Sequence, residues 1–132
     1  MTANANAPTI TITQDLIDAY AAIAGDFNPV HVDPAFAAAT PFGQTIAHGC
    51  IPMEPIFRLV QTRLGLPVMP QGSRMKLRYL RPTHPGDTIG ILVKTWTDDG
   101  LDFQCVNQRG EAVIDGEVRD VRTEPARDSG ET

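Results

Sequence analysis

The chain has 132 residues and a formal net charge of −5, with 42% hydrophobic and 20% charged residues. This length and composition suit one globular domain with a core of moderate size. The negative charge argues against a nucleic-acid-binding protein, which presents a positive surface to phosphates. No apolar run is long enough to span a bilayer, and the N-terminus lacks the pattern of a secretory signal. We therefore expect a cytoplasmic protein without a membrane partner.

The cysteine and histidine content excludes further classes. Two cysteines, Cys50 and Cys105, are too few for a disulfide-stabilised secreted scaffold, so we expect both to be reduced thiols. The three histidines, at 31, 48 and 84, lack the spacing of a metal site, and no Gly-rich phosphate loop occurs. The sequence therefore predicts no bound metal and no nucleotide cofactor.

The first part of the chain is predicted to hold a strand and two helices. Residues 1–8 are small and polar, and we expect them to be flexible. Alternating β-branched residues predict a short strand over 9–13. Apolar residues at helical spacing predict a helix over 14–24 that ends at Gly25. Asp33 can cap a helix and Pro34 suits its first position, so we predict a short helix over about 34–39.

A longer helix is predicted from about Ile51 to Leu64. Pro52 and Pro55 are tolerated only in its first turn, and Gly65 ends it. On this prediction the backbone amides of residues 49 and 50 lie near the helix N-terminus.

The second half is predicted as antiparallel strands over 73–81, 87–96, 101–107 and 111–121, followed by a flexible polar tail over 123–132. The turn sequences PGD, DDG and QRG separate the strands, and short turns join antiparallel neighbours, so we expect a four-strand meander. The single domain then covers residues 9–122. Its element order predicts an α+β domain with an antiparallel β-sheet wrapped around a long central helix, a hot-dog fold. The open edge of such a sheet favours a homodimer.

Two short motifs carry the chemical signal. The stretch GDFNPVH and the downstream AHG resemble the MaoC-like family, whose relatives include the (R)-specific enoyl-CoA hydratases. The RPTHPGD step resembles a turn of the same family. The matching positions are Tyr20, Gly25, Asp26, Asn28, Pro29, His31 and Ala47-His48-Gly49. The resemblance, over roughly residues 12–122, implies a hot-dog fold and an acyl-thioester substrate on coenzyme A or an acyl carrier protein, without a bound cofactor.

The residues of these motifs suit the hydration of a 2-enoyl thioester. The reaction needs a water activated near C3, a proton delivered to C2, and stabilisation of the enolate oxygen. Asp26 and His31 can hold one water between them, with the Asn-Pro step fixing their separation. We predict that the Gly49 amide stabilises the enolate.

We predict a set of substrate-binding residues, Asn28, His48, Cys50, Met53, Glu54, Phe57, Arg58 and Arg81, in which the charged Glu54 and Arg58 depart from the small or aliphatic residues usual in the family. We expect His48 mainly to position the Gly49 loop, and Cys50 to be a small buried thiol rather than a nucleophile. Glu54 and Arg58 can pair across one helical turn. An exposed pair contributes little, whereas a pair facing the acyl pocket would favour a short or polar acyl group.

Other basic and ionisable residues leave alternatives open. The row Arg74, Lys76 and Arg78, with Arg81 nearby, is either a solvated strand face or a contact for the phosphates of coenzyme A. His84 is expected in an exposed turn.

Three functions are compatible with the sequence. The first is the reversible hydro-lyase reaction, giving an (R)-3-hydroxyacyl thioester. The second is a hot-dog thioesterase, in which water attacks the carbonyl; the intact Asp26 and His31 argue against it. The third is a non-catalytic acyl-binding subunit of a heterodimer, which we would expect to have lost one of these residues. A purely structural surface turn closed by Asp26 and His31 is the remaining alternative.

Overall fold

A computed structural model of the chain describes residues 2–121, so the tail predicted over 123–132 lies outside the described residues. The elements follow in the order β1 (Ile10–Thr11), α1 (Gln14–Ala24), α2 (Pro29–Val32), α3 (Pro34–Ala38), α4 (Glu54–Leu64), β2 (Arg74–Tyr79), β3 (Thr88–Thr97), β4 (Gly100–Val106) and β5 (Ala112–Arg119). Among these residues no helix combines the length and apolar character needed to cross a membrane.

The strands form one antiparallel sheet in the order β1-β3-β4-β5-β2. The successive pairs β3–β4 and β4–β5 are hairpin neighbours, as predicted. The first step of the predicted meander is wrong, because β2 pairs with β5 instead of β3. Arg74 lies opposite Arg119, and Tyr79 lies opposite Ile114.

The connection between β2 and β3, residues 80–87, explains this difference. Its two prolines lack the N–H groups that a tight hairpin would use. The Leu80 N–H donates to the Val113 carbonyl at 2.9 Å, and the Thr83 carbonyl accepts from the Ala47 N–H at 2.8 Å. The connection is therefore tied to β5 and to the loop before α4, and it crosses the end of the sheet.

Helix α4 packs against the inner face of the sheet, as the hot-dog prediction requires. Alternation along β4 turns Leu101, Phe103 and Cys105 inward, and α4 contributes Ile56 and Val60, which lie one helical turn apart. The core also contains Ile12, Ile17, Ile89, Ile91, Val113, Ile114 and Val118. The apolar face of α4 is thus covered by the sheet.

Helix α4 begins at Glu54, later than the predicted start at Ile51. Before it, the Ile51 N–H donates to the His48 carbonyl and the Glu54 N–H donates to the Ile51 carbonyl, so this segment forms two successive turns. Pro52 cannot donate a helical hydrogen bond here. Gly49 therefore lies in a turn ahead of the helix, and our prediction that it sits at the helix N-terminus is wrong.

The N-terminal segment, whose flexibility stays a prediction, makes hydrogen bonds to the edge of β3. The Asn4 N–H donates to the Ile91 carbonyl at 2.8 Å, and the Val93 N–H donates to Asn4 Oδ1 at 2.6 Å. Because β1 covers only the start of β3, Asn4 supplies hydrogen-bond partners for the edge of β3 beyond it. The domain boundaries stay predictions.

Candidate active site

The site begins where α1 ends. Gly25 adopts a left-handed conformation with φ of 72° and closes the helix. Asp26 Oδ1 then accepts from the Asn28 N–H at 3.2 Å, and Asn28 Oδ1 accepts from the Val30 N–H at 3.1 Å, capping α2. These local hydrogen bonds stabilise the turn, and Asp26 Oδ2 takes no part in them. The same short helix carries His31.

The ring of His31 has a defined tautomer in the neutral state. Its Nδ1–H donates to the Ile46 carbonyl at 2.8 Å, so Nε2 carries the lone pair. That Nε2 lies 4.0 Å from Asp26 Oδ2, with 13% of the His31 side chain and 51% of the Asp26 side chain exposed. The separation is too long for a direct hydrogen bond and short enough for one water to bind both atoms.

The buried ring of His48 contacts both Asp26 and His31. Its side chain is only 4% exposed, and its Nε2–H donates to the Asp26 backbone carbonyl at 3.0 Å. The ring stacks on His31 with centroids 3.9 Å apart and packs against Tyr20 at 4.8 Å. Within residues 2–121 its buried Nδ1 has no hydrogen-bond partner. His48 thus fixes both the backbone of Asp26 and the plane of the His31 ring.

Asp26, His31 and His48 also have the donor types that a metal ion would bind, with one ligand atom from each lying within 4.8 Å of the others. Their hydrogen bonds oppose that use. The His48 Nε2–H already serves the Asp26 carbonyl, and the two rings are stacked with an interplanar angle of 25°, so their lone pairs do not converge on one point. The arrangement fits a bound water better than a metal ion.

The turn over residues 48–51, here called the Gly49 turn, directly follows the His48 ring in the chain. Tyr79, on β2, donates its hydroxyl hydrogen toward the Gly49 carbonyl at 2.9 Å, and its oxygen lies 3.0 Å from Met53 Sδ. Cys50 is exposed, which contradicts our expectation of a buried thiol. The Cys50 thiol is the largest cause that raises the pKa of Tyr20, and burial is the largest cause that raises the pKa of Tyr79. Both phenols therefore stay protonated at neutral pH.

The predicted pair on α4 forms. Arg58 Nε donates to Glu54 Oε2 at 2.9 Å, and both side chains are more than 40% exposed. Arg58 Nη2 also donates to the Thr9 carbonyl at 2.8 Å. The pair thereby attaches α4 to the segment entering β1. Phe57, between the two, is partly buried.

The remaining basic residues divide between two places. The side chains of Arg74, Lys76 and Arg78 alternate with the inward residues of β2 and lie on the outer face of the sheet. There Lys76 and Arg78 line an open groove of about 500 Å³ together with acidic side chains of β4 and β5. Arg81 lies past the end of β2, where its Nη1 donates to the Ala112 carbonyl at 2.8 Å. Arg81 therefore lies just beyond the Tyr79 end of the strand, away from the groove on the outer face.

His84 does not behave as the sequence suggests. It is partly buried, and its Nδ1–H donates to the Thr45 carbonyl at 3.0 Å. Tyr79 was missed as a site residue altogether. The alternation of Met75, Leu77 and Tyr79 could have placed its ring inward, but its contact with Gly49 depends on how the loop before α4 approaches the sheet.

The family model of the MaoC like domain matches residues 2–121. The (R)-specific enoyl-CoA hydratase of Aeromonas caviae is 37% identical over 111 residues, which cover 77% of this chain and 80% of that protein. The 3-hydroxyacyl-thioester dehydratase Z of Mycobacterium tuberculosis is 36% identical over 83 residues, or 61% of this chain. The match covers 55% of that relative, so the chain spans about half its length.

Solved structures give the same result for the fold. The (R)-hydratase of A. caviae superposes with a TM-score of 0.69 and 28% identity, covering 84% of this chain and 88% of that chain. HtdX of M. tuberculosis superposes with a TM-score of 0.74 and 30% identity, covering 86% of this chain and 46% of that one. These similarities confirm the predicted hot-dog fold. The chain belongs to the MaoC-like domain family.

Proposed function

We propose that this chain is a hydro-lyase that reversibly adds water to trans-2-enoyl thioesters. The product would be an (R)-3-hydroxyacyl thioester carried by coenzyme A or an acyl carrier protein. The names of the relatives, an enoyl-CoA hydratase and a 3-hydroxyacyl-thioester dehydratase, support the reaction class. The single observation that carries the proposal is the 4.0 Å separation of Asp26 Oδ2 and His31 Nε2, two acceptors on one side of the site.

Two acceptors at this separation can orient one water. The His31 Nδ1–H is occupied by Ile46, so Nε2 accepts one O–H of the water and Asp26 Oδ2 accepts the other. The oxygen lone pairs then face away from both residues, toward C3 of the substrate. As the C3–O bond forms, one acceptor takes a proton from the water. The C2=C3 electron pair becomes the C1=C2 bond of the enolate, and the carbonyl electron pair moves onto the thioester oxygen. Because both acceptors share the water, we assign the proton transfers to the pair.

The enolate that forms in this step needs hydrogen-bond donors at its oxygen. We propose that backbone N–H groups of the Gly49 turn supply them. Donors fixed before the reaction are worth more than donors that must reorient, and removing one typically lowers kcat about 10²–10³-fold. A proton returned to C2 by the Asp26–His31 pair then completes the addition.

The test is the loss of the enoyl-thioester absorbance of crotonyl-CoA. We expect Asp26→Asn and His31→Ala each to lower kcat by about 10²–10⁴-fold, the range of a lost acid–base group. Asp98→Asn, an exposed turn residue, is the matched control and should keep wild-type activity. An (R)-specific 3-hydroxyacyl-CoA dehydrogenase coupled to the assay should consume the product. Variants as active as wild type would contradict the roles of the pair.

The same assay separates the other two candidate functions. A thioesterase would release free thiol, which a thiol reagent detects, without forming a 3-hydroxyacyl product. A non-catalytic subunit would bind thioesters but leave the absorbance of crotonyl-CoA, longer enoyl-CoAs and enoyl carrier proteins unchanged. Either result would exclude the hydro-lyase proposal for the isolated chain.

We further propose a homodimer. The outer edge of β2 has no strand partner within residues 2–121, and large apolar side chains lie exposed close to the site, with Ile23 at 84% and Phe27 at 60% exposure. Covering such surfaces is a common reason for pairing. Size-exclusion chromatography with multi-angle light scattering should give twice the monomer mass of 14.3 kDa. A mass of 14.3 kDa at micromolar concentration would contradict the dimer.

We also propose that the reaction needs no bound cofactor and takes place in the cytoplasm. The commitment of His48 Nε2 to the Asp26 carbonyl supports the first point, and the unpaired thiols of Cys50 and Cys105 support the second. Prolonged dialysis against a chelator should leave kcat unchanged, and recovery of lost activity by a divalent metal would contradict this expectation.

A further inference from the structure

The contact between β2 and the Gly49 turn is unusually close. A Cβ built on Gly49 would lie 3.0 Å from the Tyr79 hydroxyl oxygen and 3.1 Å from Cζ, so the phenol ring packs directly on the glycine. The hydroxyl then reaches the carbonyl of the same residue at 2.9 Å. Met53 Sδ lies at a similar distance, but a thioether is a weak acceptor, so the carbonyl receives the hydrogen.

This hydrogen bond determines where the next amide points. In a trans peptide the carbonyl and the following N–H face opposite ways, so holding the Gly49 carbonyl directs the Cys50 N–H away from Tyr79. The preceding peptide is held as well, because the His48 carbonyl accepts from the Ile51 N–H at 3.0 Å. Two successive peptide planes in the turn are therefore fixed through their carbonyl oxygens.

The amides of these two planes are not used elsewhere. In the described part of the chain, neither the Gly49 N–H nor the Cys50 N–H donates a hydrogen bond, and both residues are exposed. The two N–H groups thus follow in the chain directly after His48, whose ring contacts both Asp26 and His31.

We propose that Tyr79 is a positioning residue, whose hydroxyl holds the Gly49–Cys50 peptide so that the N–H groups of Gly49 and Cys50 face the thioester oxygen. This inference rests on the proposed hydro-lyase function and adds a residue on a distant strand to it. Tyr79 itself touches neither the water nor the substrate. Its effect should therefore appear in the transition state, where the oxygen becomes negative, more than in substrate binding.

The first test is Tyr79→Phe, which removes the hydroxyl and keeps the ring. We expect kcat with crotonyl-CoA to fall about 10-fold, the effect of one lost neutral hydrogen bond, while KM changes less than about twofold. Thr97→Val, which removes an exposed hydroxyl at the last residue of β3, is the control and should match wild type. A melting temperature within a few degrees of wild type would show that the loss is not unfolding.

A spectroscopic test measures directly how strongly hydrogen bonds polarise the thioester carbonyl of a bound ligand. A chromophoric cinnamoyl-CoA absorbs at longer wavelength when hydrogen bonds polarise its carbonyl. The shift on binding should be smaller in Tyr79→Phe than in wild type, at equal occupancy. A purely structural role for the hydroxyl would change the affinity or the melting temperature without changing the shift.

Gly49→Ala probes the same contact from the other side, because its methyl group would push the phenol away from the carbonyl. If both substitutions act through one hydrogen bond, the double variant should lose less than the product of the two single losses.

The outcomes separate this inference from the proposed function. A wild-type chain that neither turns over enoyl thioesters nor shifts the probe would overturn the proposed function, and the inference with it. An active wild type with Tyr79→Phe equally active and equally shifted would overturn the inference alone. Multiplicative losses in the Gly49→Ala and Tyr79→Phe pair would also overturn it.

Discussion

The role of each residue in the site follows from the hydrogen bonds it already makes. Asp26 uses Oδ1 for its own turn and its carbonyl for His48, which leaves Oδ2 for a water. His31 uses Nδ1 for Ile46, which leaves the Nε2 lone pair. Much of this could be predicted from GDFNPVH, because the bonds of Asp26 and Asn28 span only a few residues. The hydrogen bond from His31 to the Ile46 carbonyl could not be predicted, because it depends on the conformation of the loop that follows α3.

The two cysteines should react at very different rates. Burial raises the pKa of the Cys105 thiol to about 12, whereas Cys50 is exposed. Since the thiolate is the nucleophile, we expect iodoacetamide to modify Cys50 alone in the folded protein at pH 8 and both cysteines in denaturant. Intact-mass spectrometry counts the adducts, and Cys50→Ser should remove the native one. Modification of Cys105 at the rate of Cys50 would contradict its burial.

The same shift gives a stability prediction with a defined sign. In the unfolded chain the Cys105 thiol ionises near its ordinary pKa of 9.0, but in the folded chain it stays neutral up to about 12. The unfolded state therefore binds fewer protons in this window, and the free energy of unfolding should fall as the pH rises through it. Urea titrations at pH 8 and pH 10.5 measure the difference, and Cys105→Ala should lose this part of the dependence.

At the scale of secondary-structure elements, a small residue on β5 lets three strands pack. Gly116 faces Phe103 on β4 and Leu77 on β2, and a Cβ there would lie 2.7 Å and 2.9 Å from their side chains. We expect Gly116→Ala to lower the free energy of unfolding by about 1–3 kcal/mol, the usual range for overpacking. Urea unfolding measures it. Adding Phe103→Leu should recover part of the loss, and strictly additive losses would contradict a clash.

The elements also show where sequence patterns are reliable. The strands were placed to within about two residues at most ends, because alternation and turn sequences are local signals. The pairing of β2 with β5 was not predicted, because it depends on loop contacts between residues far apart in sequence, such as Ala47 with Thr83. The start of α4 was misplaced because the apolar pattern continues through Ile51 although the turns before Pro55 are not helical.

At the scale of the whole molecule, two arginines in different places, one past the end of β2 and one on the outer face of the sheet, give a way to test carrier recognition. We expect Arg81→Ala to raise KM for crotonyl-CoA several-fold, because an exposed guanidinium near the Tyr79 end of β2 can bind the phosphates of coenzyme A. KM for the crotonyl thioester of N-acetylcysteamine, which lacks those phosphates, should not change.

Arg78→Ala is the matched control for this prediction, since Arg78 lies on the outer face of the sheet near Asp115. It should leave both KM values at the wild-type level. Equal effects of Arg78→Ala and Arg81→Ala would show a general loss of positive charge and would contradict a specific contact.

The pairing of β2 with β5 has a consequence for the newly made chain on the ribosome. Helix α4 and β2 precede β5 in the chain, and β2 has no native strand partner until residues 114–119 of β5 have been synthesised. Until then the apolar face of α4 and one long strand edge lack their native cover, which is the kind of surface that chaperones bind. Stalled chains in which a long C-terminal linker has pushed β5 out of the exit tunnel should therefore associate with chaperones less strongly than stalled chains in which β5 is still missing.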